Sequence, residues 1–290
     1  MITDSFFEQG VTHEVCEDYA VHGDDYAILA DGCSNGGVSI HTDWGARLLC
    51  KAAEEHMARI QAEPTLFMQL VMNTALTQPR AIANLPVGCL TATLLTLCQT
   101  CQGNDGLIAT IFGDGVVGGL RKDKTWDIRV IEYQPGGTTG QAAPYYPKYK
   151  LLEEEDRWVE LFGDKYLVTT YHGNLTFPSN LTMEQKERVL SLEDPFEYWF
   201  FDKKIYDFAF IASDGIQSFY EWDETSTSRQ QSRIGTPAVL GVLLDILSFQ
   251  KDFLRLQRGW AFKQDKPGTF KRRGWHNADD VSMAGIYMGD

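Results

Sequence analysis

Apolar positions along the chain switch between two periods. Tyr26–Ala30 is a short unbroken apolar run, as a strand buried on both faces requires. From about Ser39 the period lengthens. Trp44, Leu48, Ala52 and Met57, with Leu49, Ala53 and Ile60 beside them, make one apolar helical face, and Ser39 or Thr42 offers a cap. Pro64 suits the first turn of a second helix carrying Leu66, Phe67, Leu70 and Val71, expected to end before Pro79. Leu90–Cys98 and Leu107–Phe112 are rich in Thr, Leu and Ile and flank the turn-prone Gly103–Gly106, which predicts a hairpin. Val116–Leu120 and Trp126–Glu132 predict further strands of the same sheet.

The rhythm breaks between about 134 and 204. This stretch holds QPGGTTGQAAPYYPKYK, an acidic cluster at Glu153–Asp156 and a short helix expected near Met183–Leu192. It reads as an elaborated connection, either a flap at the working face or a surface decoration. Regularity returns with the apolar Phe208–Ala212. Thr236-Pro237 then opens a helix through Val239, Leu240, Leu243, Ile246 and Leu247, with a second helical piece around Phe253–Leu256. Val281–Met288 predicts a last strand. Blocks of strands with hairpin links, and helices in pairs between them, predict the α+β class with largely antiparallel sheets. No low-complexity linker or fixed-period repeat interrupts the 290 residues, 43% of them hydrophobic. One domain spanning 1–290, with an inserted flap-like segment at about 134–204, is the expectation.

Charge and cysteines narrow the function classes. The 26 basic and 40 acidic residues leave a formal charge of −14, which argues against nucleic acid or anionic lipid as a partner. The one basic run, Lys271-Arg272-Arg273, is too short to reverse this. The acidic start MITDSFFEQGVTHEVCED does not read as a signal peptide, and no apolar run approaches the ~20 residues that span a bilayer. Six cysteines without an export signal predict reduced thiols in the cytoplasm, and Cys98-x-x-Cys101 lacks the second pair that a structural zinc site needs.

The chemistry lies at the strand ends. YAILA stops at Asp31-Gly32, LIATIF at Gly113-Asp114-Gly115 and FAFIAS at Asp214-Gly215, while Asp279-Asp280 immediately precedes VSMAGIYM. Asp18 in CEDYAV is a fifth candidate. One Asp-Gly after a strand is usually a turn. Several such carboxylates gathered together repel one another unless a cation sits among them. Magnesium and manganese ask for oxygen ligands of this kind, and a glycine after Asp31 lets the backbone approach as well. Gly113-x-Gly115-x-x-Gly118 matches a dinucleotide fingerprint in letters, but VVGGL followed by RKDKTW reads as strand and turn rather than as the required helix.

In this order, Glu17-Asp18, Asp31-Gly32, LTATLL, Gly113-Asp114-Gly115, Ser213-Asp214-Gly215-Ile216 and Asp279-Asp280-Val281-Ser282 resemble the metal-dependent protein phosphatases of type 2C, the PPM family, and THEVCED looks closest to its compact bacterial branch. The resemblance implies a four-layer α-β-β-α sandwich, two mainly antiparallel sheets flanked by helix pairs, with a cleft where strand ends meet. It implies two or three divalent ions, Mn or Mg. Asp31 matches the bridging aspartate and Gly32 the carbonyl ligand beside it. Asp214 and Asp279 match holders of the first metal, Asp18 acts on the metals directly or through water, and Asp114 matches the ligand of a third ion. Asp31 thereby carries the catalytic centre, and His13 stands as a phosphate contact or acid.

The implied activity is hydrolysis of phosphoserine and phosphothreonine in a protein substrate by a metal-activated water, opposing a Ser/Thr kinase, in a cytoplasmic monomer. Three positions depart from the pattern. Cys33-Ser34 replaces the His-Gly of Asp-Gly-His-Gly, His13 stands near the place of the phosphate-binding Arg, and Asp280 replaces a frequent Asn. Two alternatives remain open: a catalytically weak pseudophosphatase acting as a regulatory binding module, and a small-molecule phosphoesterase on the same fold.

Overall fold

The computed structural model describes residues 1–10, 12–33, 42–60, 64–82, 84–100, 105–175, 180–193, 195–223, 233–244, 260–263 and 270–289. The chain opens with β1 (Ile2–Glu8), β2 (Tyr19–His22) and β3 (Tyr26–Ala30), followed by the helices α1 (Thr42–His56) and α2 (Pro64–Ile82). Next come β4 (Leu94–Gln99), β5 (Gly106–Phe112), β6 (Gly115–Arg121) and β7 (Trp126–Tyr133). Two short helices, α3 (Pro147–Leu151) and α4 (Glu155–Phe162), precede β8 (Lys165–Gly173), β9 (Thr182–Val189), β10 (Glu197–Asp202) and β11 (Tyr206–Ala212). The last elements are β12 (Phe219–Asp223), α5 (Thr236–Leu243), β13 (Trp260–Lys263), β14 (Phe270–Asn277) and β15 (Val281–Tyr287).

Three sheets form: β1-β15-β11-β6-β7-β8-β9, β10-β5-β4-β3-β2, and the small β12-β14-β13. Every pairing among the described residues is antiparallel.

The period-2 geometry of the strands builds the layers. Ala27 and Leu29 of β3 enter the core between the two large sheets, while Ile28 and Ala30 point outward to the cluster of Leu49, Ala53, Phe67 and Val71 from α1 and α2. The seven-stranded sheet does the same in mirror image. Ala209, Ile211, Ala284 and Ile286 face the inter-sheet core, whereas Phe208, Phe210 and Met283 face Val239, Leu240 and Leu243 of α5. Burying a Leu, Ile or Phe contributes about 1.5–3 kcal/mol, so each strand is held from both sides. This is the α-β-β-α order expected of a PPM-type sandwich. On the α5 side the second helical piece at Phe253–Leu256, with Ile246 and Leu247, lies outside the described residues, as does Ser39. Among the described residues no helix is long and apolar enough to cross a membrane.

Several sequence expectations are corrected. β6 and β7 do not continue the sheet of β4 and β5; the chain crosses to the other sheet at Gly113-Asp114-Gly115, where both glycines have positive φ (100° and 136°). Side chains rarely tolerate that corner, and it turns what would be a meander into a sheet-to-sheet step. Leu90 lies in a single 3₁₀ turn, Val87–Leu90, so β4 begins at Leu94. α2 runs through Pro79 to Ile82. Trp44 is 46% exposed and is not part of the buried face of α1, which Leu48, Leu49, Ala52 and Ala53 make.

The helix expected near Met183–Leu192 is instead β9, an exposed strand paired along its length to β8. Its alternating Glu, Lys and Arg residues suit the edge of a sheet, where charge blocks further pairing. The 134–204 segment is therefore woven into both sheets, contributing β8 and β9 to one and β10 to the other.

Candidate functional site

Strand register brings the five aspartates to one end of the sandwich. In an antiparallel pair the end of one strand lies beside the start of its neighbour. Tyr19 of β2 pairs with Ala30 of β3, so one rung further Asp18 stands opposite Asp31. Val116 of β6 pairs with Ala212 of β11, so two rungs further Asp114 stands opposite Asp214. Beside them Ser213 donates its N–H to the Ser282 carbonyl (3.0 Å) and accepts the Ser282 N–H on Oγ (2.9 Å), which locks the start of β15 and the preceding Asp279-Asp280 to the same edge.

Gly32 continues the β3–β4 pairing past the strand. Cys33 N–H donates to the Thr91 carbonyl and Thr93 N–H to the Asp31 carbonyl, both at 2.9 Å, with Gly32 opposite Ala92. The Gly32 N–H goes to the Glu17 carbonyl at 3.2 Å. No backbone N–H among the described residues donates to the Gly32 carbonyl. A main-chain oxygen is thus left over beside Asp31.

The electrostatics are those of an uncompensated acid cluster. Burial raises the pKa of Asp31 well above the ordinary carboxylate value, with the charges of Asp18 and Asp214 adding to it. Asp114 is raised in the same way, by burial and then by Asp214. Asp18 is 1% exposed and burial pushes it up to about 7. No donor of good geometry reaches either of its oxygens, although the nearby hydroxyls of Ser213 and Ser282 temper the shift. Asp279 is raised by burial and by Asp214, with His13 acting against it. Among the described residues no Lys or Arg forms an ion pair with Asp18, Asp31, Asp114, Asp214 or Asp279. Orphaned buried carboxylate oxygens beside a spare carbonyl are the donor set a hard divalent cation takes, so the residues fit Mg or Mn.

His13 lies on the rim. Its Nε2 is 3.2 Å from Asp279 Oδ1, its Nδ1 3.0 Å from Asp280 Oδ2 and 4.0 Å from Glu17 Oε2. Burial opposes the charged ring, but Asp280, Asp279 and Glu17 together outweigh it and the His13 pKa is raised. His13, Asp31, Asp114, Asp214 and Asp279 all line one cavity of about 1270 Å³, so the geometry gathers them in one place.

Sequence reasoning named Asp280 without giving it a role, and missed two further contributors. Asp280, 3% exposed, accepts the Gly10 N–H at 2.7 Å and the Glu17 N–H at 2.5 Å, and so ties the His13 loop to the start of β15. Lys148 and Arg233 line the cavity as cations. The Asp279-Asp280 doublet was a visible signal for the first; nothing in the spacing of the other two distinguishes them from surface residues. Of the tyrosines in APYYPKY, Tyr145 is fully buried against Phe112 and Trp158, while Tyr146 and Tyr149 line the cavity. Cys98 is a core thiol of β4, and Cys101 lies outside the described residues. A strand, β6, follows Gly113-Asp114-Gly115, so the site is not a dinucleotide fingerprint.

No protein-family model and no curated protein matches the chain. Solved structures that it is similar to include the PPM Ser-Thr phosphatase MsPP from Mycobacterium smegmatis in complex with cacodylate, at 12% identity over 100% of this chain and 99% of that one, with a TM-score of 0.45. The catalytic domain of the serine threonine protein phosphatase PstP in complex with two manganese ions matches at 12% identity over 100% and 98%, TM-score 0.43. PppA, a key regulatory component of T6SS in Pseudomonas aeruginosa, matches at 13% over 99% and 97%, TM-score 0.42. At identities and scores this low, the functional reading rests on the chain's own residues.

Proposed function

We propose that this chain is a metal-dependent phosphoprotein phosphatase that hydrolyses phosphoserine and phosphothreonine. The supporting observation is the convergence of five aspartates from five separate strand ends, four of them (Asp18, Asp31, Asp114 and Asp279) raised in pKa, and none paired with a Lys or Arg among the described residues. Such a cluster costs stability unless a cation neutralises it. In this reading the whole chain acts as one phosphatase domain, a cytoplasmic monomer opposing a Ser/Thr kinase.

Asp31, Asp18, Asp214, Asp279 and the Gly32 carbonyl would hold two Mg or Mn ions, and Asp114 with Asp214 would offer ligands for a third. When bound, the ions supply the Lewis acidity that makes water a nucleophile near neutral pH. The chain's residues position the rest. The carboxylate array fixes where the phosphoryl group sits, and the antiparallel ladders hold that array rigid. His13, whose pKa the carboxylates of Asp280 and Asp279 raise against the effect of burial, is the group to donate to a phosphoryl oxygen or to the departing alkoxide. Cys33 stands where the resembling family carries a histidine.

Phosphate release from a phosphothreonine peptide and from p-nitrophenyl phosphate, with manganese, with magnesium and with chelator, tests the reading. Metal-dependent turnover that Asp31→Asn abolishes is the expected result. A folded, metal-binding protein inert on both substrates would instead support the regulatory module, which the Cys33 replacement favours. Turnover of p-nitrophenyl phosphate with none of the peptide would favour a small-molecule phosphoesterase.

A further inference from the structure

We propose that Lys148 is the residue that anchors the substrate's phosphoryl oxygens, taking the role for which the sequence offers no arginine near Asp18. The inference rests on the phosphatase reading and concerns a residue outside the carboxylate array. Three observations carry it.

The first is position. Lys148 lines the same cavity as Asp31, Asp114 and Asp214. Its ammonium donates to Thr91 Oγ1, and the Thr91 carbonyl receives the Cys33 N–H, two residues from Asp31. The lysine thus sits over the backbone segment that pairs with Asp31-Gly32-Cys33.

The second is unused capacity. An ammonium has three donors. Thr91 takes one, and the Thr91 hydroxyl donates onward to the Gly88 carbonyl at 2.7 Å. No carboxylate among the described residues lies within ion-pair distance of Lys148. Glu154 acts on Lys148 only from beyond ion-pair distance, so an ammonium with no carboxylate directly against it favours an anionic ligand. Burial lowers the Lys148 pKa, so the charge is only partly hydrated and an arriving dianion restores its stability.

The third is pre-organisation. The ammonium lies 5.1 Å from the Tyr149 ring centroid and 5.9 Å from that of Tyr146, and the two rings stack at 5.9 Å. Tyr146 is 4% exposed and Tyr145 beside it is fully buried, so this lysine stem is held where a surface lysine would swing freely. Arg233 also lines the cavity, but it is exposed and its Nε is spent on the Gln217 carbonyl at 2.6 Å.

The test is a calorimetric titration of inorganic phosphate into manganese-loaded wild type, Lys148→Met and Lys148→Arg, beside steady-state kinetics on p-nitrophenyl phosphate. The expected result is phosphate affinity weakened about tenfold to a hundredfold in Lys148→Met, with a matching fall in kcat/KM, as for a lost charge-assisted hydrogen bond. Lys148→Arg should stay within a few-fold of wild type, and manganese affinity should not move in either. Should Lys148→Met fail to fold, Lys148→Gln replaces it. Unchanged phosphate affinity in Lys148→Met, with wild-type turnover intact, overturns the anchor and leaves the phosphatase reading standing. Absence of turnover in wild type overturns the phosphatase reading, and the phosphate titration still decides the anchor.

Discussion

The His13 ring sits 3.0 Å from Asp280, its Nδ1 facing a carboxylate that is itself 3% exposed and holds two backbone N–H groups. This one relationship couples the loop before β2 to the start of β15, across more than 260 residues of sequence. It also explains why an acid, rather than the amide common in the resembling family, stands at Asp280. The carboxylate accepts from Gly10 and Glu17 with both oxygens, and an amide has only one acceptor.

Asp280→Asn is therefore expected to destabilise the protein by about 1–3 kcal/mol, because one buried N–H is left facing another donor. Urea unfolding of the metal-free protein measures this. The same substitution should lower the His13 pKa, read by NMR titration of its ring protons. Since the folded His13 pKa is raised above 6.5, its contribution is fully present below that value and lost as pH climbs through the raised one. A wild-type His13 titrating at or below 6.5 would contradict this arrangement.

Gly215 follows Asp214 for a reason of space. A Cβ there would stand 1.6 Å from the Asp280 carbonyl oxygen, a backbone atom that cannot swing aside. Gly215→Ala should cost about 1–3 kcal/mol, as overpacking does, and push Asp214 out of line with Asp114. Thermal unfolding and manganese titration should both register the change. A variant that melts and binds metal as the wild type does would show that the turn after β11 is more plastic than its packing implies.

Far from the cleft, Asp127 accepts hydrogen bonds from Tyr206 (2.6 Å), Arg121 (3.1 Å) and the His172 ring (2.6 Å). Burial works against its charge, but these three partners outweigh it and lower its pKa. The stability it contributes is present above the unfolded carboxylate value near 3.8 and lost as pH falls through the lowered one. Asp127→Ala should cost about 2 kcal/mol at neutral pH, with the cost shrinking as pH falls below 3.8, measured by urea midpoints at neutral and acid pH. Equal losses at both would show that packing, not the charge, is what the residue supplies.

Much of this site was legible because Asp needs a reason to stand at the tip of an apolar strand. The run Tyr26–Ala30 and the strand closing at Ala212 gave both the element and its end, and antiparallel register does the rest. Sheet membership was not legible. β5 and β6 read as successive strands, and only the positive φ of Gly113 and Gly115 sends the chain to the other sheet. β9 was misread as a helix because its Glu, Gln, Lys and Arg residues are good helix formers; its strand state is imposed by pairing with β8, a tertiary override of local propensity. Lys148 escaped notice because what marks it is its place in the cavity with no carboxylate within ion-pair distance among the described residues, and that is a fact of three-dimensional surroundings.

The last prediction concerns the cluster without its metal. Asp18 is raised from 3.8 to about 7 by burial, and Asp31 and Asp114 shift in the same direction. A carboxyl whose folded pKa is raised favours the folded state fully only while protonated. Between about pH 4 and pH 7 the unfolded chain releases this proton more readily, so metal-free stability falls as pH rises through that window. Saturating manganese replaces the missing protons with a cation that binds the folded state alone, and at a hundredfold over its Kd adds about 2.7 kcal/mol. The melting temperature in chelator should decline from pH 5 to pH 8, and added manganese should raise it most at the alkaline end. Asp18→Asn should make the chelator curve shallower and reduce the manganese gain together, since this carboxylate contributes to both effects. A variant that flattened the curve yet kept the full manganese gain would remove Asp18 from the ligand set while leaving its buried charge as the source of the pH dependence.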